Sequence, residues 1–588
     1  MDTATDTPPP LRFASFELDI RSRELRTGAK RIRLQEQPFE ILRLMLERPG
    51  VVVTREELCR RLWPSGTFVD FEHSLNAAVK RLRAALGDDA EHPRFVETLP
   101  RRGYRFIAAV NGSASSTSSA PAPVIARHVA ARIRLAVLPF SNLGEDSAQE
   151  YFSDGLTEEM IAQLGELCRG RIGIIARWSS MVFKGSLQRA REIGEALGAH
   201  YLLEGSVRCE GDRVRITARL IETASETHMW SETYERHLTD YLSVQTEVAA
   251  RISRSLAMEL VTDARESTPR PDAAAYQTYL KGRYFWNKPG DQGLGQAISF
   301  FEQAVAQAPS FAGAHSALAR AWVARAEYYH DVPRTLLAKA QASAIRALDL
   351  DSDLSEAHMA LADVQRMLTW DWDAAEASYL HAITINPSYE SGHRAYAVML
   401  AALGRTADAI REAERARELD PLCLTVNLSD AWVRYTCGDY DRVIERCCHT
   451  IDMDGSNVAA RRMLGAAYLQ AGDHAMALAA FESALASVEP DPVMLAWLAH
   501  AQAVTGNCAA AAALIASLRT LAAHRYVPSY HLALAHVGVG DIDAAFDALD
   551  QAYLDRDPVL AHVAVEPRFE SLRSDARYER LTRRLNLT

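Results

Sequence analysis

The sequence has little cysteine and no long apolar run, and each of these absences argues against a class of protein. Its eight cysteines are scattered over 588 residues without a Cys-x-x-Cys pair or regular spacing, which argues against a disulfide framework or a structural zinc site and favours a reducing compartment. The longest apolar stretch, 508–518, is shorter than the roughly 20 residues that cross a bilayer. The first residues do not form a secretory signal. We therefore expect a cytoplasmic protein without a membrane partner.

Signature motifs of enzymes are missing as well. The sequence has no GxxxxGK[ST] phosphate loop, no GxGxxG after a strand, no HExxH and no GxSxG turn. The segment 349–360 begins like a calcium loop, but leucine and alanine stand where that loop requires glycine and glutamate. The Cys-Cys-His at 447–449 lies on a predicted repeat helix, where packing explains it. We therefore expect no catalytic residues, metal or cofactor, and a chain that is not an enzyme.

Charge is distributed unevenly along the chain. The net charge is −11, yet residues 11–110 contain 19 basic and 14 acidic side chains, whereas residues 111–588 contain 46 basic and 60 acidic ones. A polyanion is attracted to the first hundred residues and mildly repelled by the rest. Nucleic-acid binding is therefore expected in the N-terminal segment.

The length predicts three to five domains, and two changes in composition suggest boundaries. Residues 111–123, rich in Ser, Ala, Gly and Pro, read as a flexible linker, and charges with two prolines interrupt a helical pattern at 263–272. We predict three folded parts, 11–110, 133–262 and 272–588, with a linker at 111–132.

The first part reads as a small antiparallel sheet of short runs within 12–34, followed by helices at 38–47, 54–62 and 74–86. Thr54 with Glu57 forms a capping box for the second helix. In the third helix an apolar stripe, which we predict to be buried, consists of Leu75, Val79, Leu82 and Leu86.

The opposite face of the third helix has small residues at its centre and cations around them. It carries Ala77 and Ala84, flanked by Lys80 and Arg81, with Asn76 and Arg83 at one margin. Small side chains let a helix approach DNA closely, and cations meet phosphates or guanine edges. A solvated amphipathic helix without a ligand gives the same pattern. The runs 95–99 and 104–108 favour DNA, because they predict a hairpin whose tip carries Arg101 and Arg102.

The segments LRLMLERPGVVVTREELCRRLWP, NAAVKRLRAALGD and VETLPRRGYRFIA resemble the OmpR/PhoB-type winged-helix DNA-binding domain over residues 16–108. The resemblance implies a recognition helix in the major groove and a wing against the adjacent minor groove or backbone. The predicted DNA-binding residues are His73, Asn76, Ala77, Lys80, Arg81, Arg83, Thr98, Arg101 and Arg102.

This segment departs from the better-known response regulators of the family in two positions and in its setting. Ala78 stands where a histidine is usual and Pro100 where an arginine is common, so the operator sequence does not carry over. No receiver segment precedes the domain, as in CadC-like one-component regulators, and no transmembrane helix follows it. We expect the signal to be sensed in the cytoplasm.

The middle part alternates strand-like and helix-like runs, which is typical of an α/β fold, with a turn predicted at 209–213. Its segments AVLPFSNLGEDSAQEYFSDGLTEEMIAQL and YLLEGSVRCEGDRVRITARLIET resemble the TolB-like N-terminal domain. That resemblance implies a fold but no ligand.

The last part repeats. Pro387, Pro421, Gly455 and Pro490 follow one another at about the 34-residue tetratricopeptide (TPR) period, and 464–490 matches L-G-x2-Y…A-x3-F…P with one extra residue before the proline. An insertion is apparent at 328–336. About eight or nine units are expected to stack into an all-α superhelix with a concave binding surface.

These patterns predict a bacterial one-component transcriptional regulator. Its expected partners are double-stranded DNA, a protein or peptide bound by the TPR array, and a second copy of the chain, because a domain of net charge +5 is expected to act in pairs on repeated half-sites. The alternative is an interaction scaffold whose winged helix docks protein instead of DNA. A weaker third reading gives the middle part an unrecognised enzymatic role.

Overall fold

The computed structural model forms two compact units, Met1–His128 and Val129–Thr588. It describes residues 11–13, 16–19, 24–27, 30–32, 34–47, 52–54, 58, 71–89, 93–99, 103–108, 110–111, 133–144, 150–167, 172–210, 213–237, 247, 251, 273–288, 290–328, 331–486 and 491–587.

The first unit begins with the antiparallel sheet that the alternating runs predict. Its strands are β1 (Leu11–Phe13), β2 (Phe16–Asp19), β3 (Glu24–Thr27) and β4 (Lys30–Ile32). They lie in the order β4-β3-β2-β1, and a short strand late in the unit, β8 (Val110–Asn111), pairs antiparallel with β1. The chain therefore returns to this sheet at the end of the unit.

Two helices and a second sheet complete the unit. Helix α1 spans Glu36–Glu47 and α2 spans Phe71–Leu86. The hairpin strands β6 (Val96–Leu99) and β7 (Gly103–Phe106) are joined by β5 (Val52–Thr54), in the order β5-β7-β6. Thr54 is the last residue of β5 and pairs with Gly103, and its predicted role as a helix cap with Glu57 involves residues outside the described part of the chain and stays a prediction. Of the helix expected at 54–62, the structure describes Leu58, which is helical and buried.

An aromatic cluster joins the two sheets of the first unit. Phe13 from β1 lies with its ring centroid 5.0 Å from that of Phe106 in β7 and 6.0 Å from that of Phe95. Phe16 packs on Phe95 at 5.6 Å. Such rings bury large apolar areas and prefer edge-to-face or offset contacts. The N-terminal sheet thus holds the hairpin that follows α2.

The second unit opens with a mixed sheet, as expected for an α/β layer. Its strands are Ile133–Val137 (β9), Ser141–Asn142 (β10), Ile172–Ile175 (β11), Tyr201–Glu210 (β12), Arg213–Glu222 (β13) and Thr227–His237 (β14). The order is β11-β9-β12-β13-β14, with β10 beside β12. Strands β11, β9 and β12 are parallel, and β12, β13 and β14 are antiparallel.

Two details of this sheet differ from the sequence predictions. The expected turn at 209–213 is shorter, because Cys209 pairs with Val214 and Glu210 with Arg213 in the β12–β13 ladder. Strand β14 was not predicted, since it lies at the edge of the described sheet and Tyr234 is the one buried residue among its described side chains, so an apolar alternation is lacking. The helices of this region are α3 (Glu150–Leu167), α4 (Arg177–Met181) and α5 (Ala190–Leu197). The TolB-like assignment stays a prediction.

Helix pairs follow to the C-terminus. In chain order from α6 to α13 they are Ala273–Trp286, Asp291–Gln307, Ala312–Tyr328, Pro333–Leu350, Ser355–Val364 (extended by a π-helical turn, Gln365–Thr369), Trp372–Ile385, Glu390–Ala402 and Thr406–Leu419. From α14 to α21 they are Leu424–Thr436, Tyr440–Met453, Val458–Gln470, His474–Leu485, Pro492–Val504, Cys508–Ala522, Ser529–Gly538 and Ile542–Asp555. Two 3₁₀ segments, Pro558–His562 and Pro567–Leu572, and α22 (Ala576–Arg584) end the array.

The repeat is visible in the backbone itself. Gly404, Gly438, Gly472, Gly506 and Gly540 recur every 34 residues, and each has a positive φ. Each lies in the tight turn between the two helices of a pair, where glycine adopts the left-handed conformation without steric cost. The predicted TPR-type array is therefore confirmed.

The insertion expected near 328–336 falls where α8 ends, at Tyr328, and α9 begins, at Pro333. Helices α8 and α9 have 17 and 18 residues, against 13 and 14 for α12 and α13. The extra length of this repeat thus lies within the helices on both sides of the connection.

The α/β region and the helix array share one hydrophobic core. The buried cluster that begins with Leu135 of β9 continues through the first helix pairs to Met367. Gly155 of α3 lies so close to Leu280 of α6 that a Cβ there would lie 2.7 Å from a leucine methyl. The predicted boundary at 262–272 falls outside the described residues and stays a prediction. Among the helices that the structure describes, none is both long and apolar enough to span a membrane.

Candidate nucleic-acid interface

Helix α2 has the two faces that its sequence predicts. Leu75, Val79, Leu82 and Leu86 are all buried in the core of the first unit, together with Ala78. On the other side Lys80, Arg81 and Ala84 are exposed. The stripe is set by the helical repeat, since residues three and four apart share a face.

The side chains of the two exposed cations make few contacts within the unit. The side chain of Lys80 has no hydrogen bond or ion pair with any residue that the structure describes. Arg81 donates one hydrogen bond, from Nη1 to Oε1 of Gln35 at 2.8 Å, and this contact is exposed. Both charges therefore stay available to phosphates or base edges, which is what groove binding requires.

Arg83 is held differently. Its Nη2 donates to the carbonyl oxygen of Val96 at 2.6 Å and to Oγ1 of Thr98 at 2.8 Å. Both Arg83 and Thr98 are half-buried. The structure thus places these two predicted DNA-binding residues in a contact between α2 and β6, where Arg83 fixes the wing strand relative to the helix.

A second contact between the helix and the wing was not predicted from the sequence. The carboxylate of Asp88 accepts hydrogen bonds from the backbone N–H groups of Arg94 at 2.6 Å and Val96 at 2.7 Å, and from that of Phe95 at 3.2 Å. Gly87, with a φ of +65°, ends α2 just before it. A Gly-Asp pair after a helix predicts a turn, but the sequence does not indicate which groups donate hydrogen bonds to the aspartate.

The remaining predicted residues are only partly described. His73, Asn76 and Ala77 lie on α2, and their side chains fall outside the described part of the chain, as do Arg101 and Arg102 at the wing tip. The strands that lead to the tip are in place, because Glu97 and Arg105 face each other across the ladder and Nε of Arg105 donates to Glu97 at 2.7 Å.

The geometry of the site is therefore suited to a polyanionic ligand. Exposed cations beside a small alanine side chain let the helix axis come close to a polyanion, while Asp88 and Arg83 hold the wing in a fixed position. Electrostatic attraction and hydrogen bonding are the interactions that such an arrangement offers to a polyanion. Within the described part of the chain, no group of three His, Cys, Asp or Glu side chains is placed to hold a metal ion.

Comparison with known proteins identifies the first unit. Residues 29–106 match the family described as "Transcriptional regulatory protein, C terminal". The chain is 22% identical over 425 residues to the transcriptional regulator HilA of Salmonella typhimurium, covering 72% of this chain and 73% of that protein. It is 32% identical over 238 residues to a putative adenylate cyclase of Rhizobium meliloti, covering 40% of each.

Among solved structures, a tetratricopeptide repeat protein from Parabacteroides merdae is similar with a TM-score of 0.34 and 14% identity, covering 47% of this chain and 99% of that one. The chain thus aligns with less than half of the cyclase-named relative and with most of HilA. Residues 29–106 form a DNA-binding domain of the OmpR/PhoB type, as found in transcriptional regulators, and this chain carries it ahead of a tetratricopeptide-like helical array.

Proposed function

We propose that this chain is a bacterial one-component transcriptional regulator. Helix α2 enters the major groove with Lys80 and Arg81 toward the DNA, and the wing tip with Arg101 and Arg102 lies against the neighbouring backbone or minor groove. The second unit receives the signal, binds a protein or peptide partner, or joins two copies of the chain. Because its target is chromosomal DNA, the protein acts in the bacterial cytoplasm.

A single observation carries this proposal. The outer face of α2 presents two exposed cations that no carboxylate neutralises among the residues described. Exposed cations also occur on solvated amphipathic helices, and what favours DNA here is their position on the helix that leads into the hairpin of β6 and β7. The match of residues 29–106 to the regulator family supports the same reading.

The test compares two double variants of the full-length chain. Lys80→Ala with Arg81→Ala removes two charges from the α2 face, and Lys30→Ala with Arg31→Ala removes two exposed charges from β4 of the same unit. We expect the first pair to weaken specific DNA binding about tenfold or more, and the control pair to change it little. Binding is measured by mobility shift on genomic fragments over a salt series. Equal effects of the two pairs, or no salt-dependent binding by the wild type, would overturn the proposal.

Two other functions are separated by direct assays. A scaffold whose winged helix docks protein would leave DNA binding absent at low salt. The relative named as a putative adenylate cyclase makes cyclase activity the specific enzymatic alternative. We propose that this chain has no such activity, and formation of cyclic AMP from ATP by the purified protein would contradict this.

Self-association is the remaining part of the proposal. A domain with a small net positive charge binds operators more tightly as two linked copies on repeated half-sites. Sedimentation of the full-length protein with and without DNA tests this. The repeat array should not be removed for the test, because the α/β region shares its core with the first helix pairs and would expose that apolar surface.

A further inference from the structure

The second unit contains a large cavity between its α/β region and its helix array. The cavity has a volume of about 680 Å³. One wall is formed by α3 and α4, and the other by the first helices of five consecutive pairs, α6, α8, α10, α12 and α14. A volume of this size accommodates a small organic molecule. The function proposed above does not account for this cavity.

The carboxylates of the cavity wall are already engaged with donors. Glu158 accepts from Nη2 of Arg283 at 2.6 Å, and Glu356 accepts from Nη1 of Arg283 at 3.0 Å. Arg320 adds a second ion pair to Glu356, with its Nη1 at 3.1 Å. The wall is rich in acids, but these carboxylates have their charge balanced by neighbouring guanidinium groups and are therefore poor sites for a further cation.

Arg394 of α12 forms no close ion pair with a described residue; burial lowers its pKa, but attraction to Tyr328, Glu327 and Asp363 outweighs this and raises it. Its Nη1 lies 3.5 Å from the hydroxyl of Tyr328, which is a weak contact. No carboxylate oxygen of a described residue lies within 4.0 Å of its guanidinium. A half-buried guanidinium with this much unused donor capacity pairs most strongly with a carboxylate or a phosphate, because charge-assisted hydrogen bonds form there in pairs.

Aromatic side chains line the same cavity as this arginine. Trp178 and Tyr328 both line it and remain 45% and 51% exposed. Trp286 and Tyr389 line it as well, on either side of Arg320, whose guanidinium carbon lies 5.3 and 5.6 Å from their ring centroids. Large aromatic surfaces left open inside a cavity favour a flat apolar ligand, which covers them on binding.

We propose that this cavity binds a small aromatic anion, with Arg394 pairing with its carboxylate or phosphate and the open aromatic side chains covering its ring. The assignment of such a ligand as the signal of the regulator depends on the proposed function. The binding itself does not, because it is measured without DNA.

The experiment uses the full-length protein and three probes of similar size: benzoate, phenyl phosphate and uncharged benzamide. Binding is followed by calorimetry and by tryptophan fluorescence. We expect at least one of the anions to bind with a Kd on the order of 1 mM, as befits so few atoms, and benzamide at least about tenfold more weakly. A preference for benzoate indicates a carboxylate ligand, and a preference for phenyl phosphate indicates a phosphate ligand.

Two variants test the site, and a third is the control. Arg394→Met keeps the length of the side chain and removes its charge, so we expect anion binding to fall about tenfold or more. Trp178→Ala, at an exposed position, should also weaken it. Arg411→Met, on the surface of the adjacent α13, should leave it unchanged. The proposal is overturned if neither anion binds, if benzamide binds as well as the anions, or if the Arg394→Met variant retains wild-type affinity.

Discussion

Cations occupy opposite environments in the two units of this chain. On α2, Lys80 and Arg81 stand in solvent without a carboxylate partner among the described residues. In the second unit, the side chains of Arg283 and Arg568 are only 6% and 1% exposed, and each is ion-paired to glutamate. The exposed cations of α2 are thus open to a ligand, whereas these two buried arginines serve internal structure.

This difference shows why the environment of a charge is more informative than its number. A buried guanidinium loses its hydration and is tolerated only with a partner that restores the lost interactions, so it is not available to a ligand. An exposed one costs little free energy and stays available. The acidic second unit therefore reveals little by its net charge, whereas the two free cations of α2 indicate a polyanion.

The largest expected effect concerns a buried ion pair of the second unit. Glu566 accepts hydrogen bonds from Nε and Nη2 of Arg568 at 2.7 and 2.9 Å, and both side chains are buried. Glu566→Gln removes the charge that compensates the guanidinium, so we expect the free energy of unfolding of the second unit to fall by about 3 to 5 kcal/mol. Denaturation followed by tryptophan fluorescence measures it.

The control for this variant is an exposed pair of the same residue types. Glu579 and Arg583 lie one helical turn apart on α22 with both side chains mostly exposed. Glu579→Gln should cost no more than about 1 kcal/mol. Equal losses for Glu566→Gln and Glu579→Gln would show that burial does not make the Glu566–Arg568 pair structural.

The next effect concerns the contact between the α/β region and the array. The hydroxyl of Ser179 donates to Oδ1 of Asp420 at 2.5 Å and accepts from the N–H of Leu422 at 2.8 Å. Ser179→Ala leaves the buried Asp420 with fewer donors, and we expect a loss of about 2 kcal/mol. Ser225→Ala removes a similar bond to Glu222 on the surface and should cost about 0.5 kcal/mol or less. Hydrogen exchange of the backbone amides of β11 would show whether stability is lost at this contact. An exchange rate in β11 that Ser179→Ala leaves unchanged would contradict the role of Ser179 in joining the two regions.

These contacts mark the limit of prediction from the sequence. The buried stripe of α2, the hairpin after it and the 34-residue repeat are local patterns, so they could be predicted. The partner of Arg83 lies 13 to 15 residues away, and that of Glu158 lies 125 residues away. No periodicity specifies such pairs, because they depend on how whole helices pack. The predicted division of the second unit into the parts 133–262 and 272–588 stays a prediction.

The stability of the second unit is also expected to depend on pH, through the carboxyl group of Glu159. Burial raises the pKa of Glu159 to about 7, although Arg283 nearby opposes this shift. The folded state therefore holds the proton more tightly than the unfolded state, and stability is lost as the pH rises from about 4.5 through 7. Glu159→Gln keeps the neutral form, so we expect it to be more stable than the wild type at pH 8 by about 1 to 2 kcal/mol and nearly equal at pH 4.5.

Denaturation curves at several pH values measure this difference. Glu195→Gln, on the exposed face of α5, controls for the loss of one carboxylate and should follow the wild type at every pH. A Glu159→Gln variant that loses stability uniformly with pH would show that the carboxylate, and not its burial, is what the fold requires.

The smallest expected effect tests whether Arg83 is available to DNA, like Lys80 and Arg81, or is held by its contacts within the unit. If Arg83 acts by holding β6 through Thr98, the two residues depend on each other. Thr98→Val should then cost about 1 kcal/mol or less, and Arg83→Ala with Thr98→Val should cost less than the sum of the single variants. Thermal denaturation and DNA affinity of the four proteins complete the cycle. Additive losses of DNA affinity would instead indicate that Arg83 contacts DNA directly. Its bond to Thr98 would then have to break when DNA binds, and Arg83 would join Lys80 and Arg81 as a third DNA-binding cation of α2.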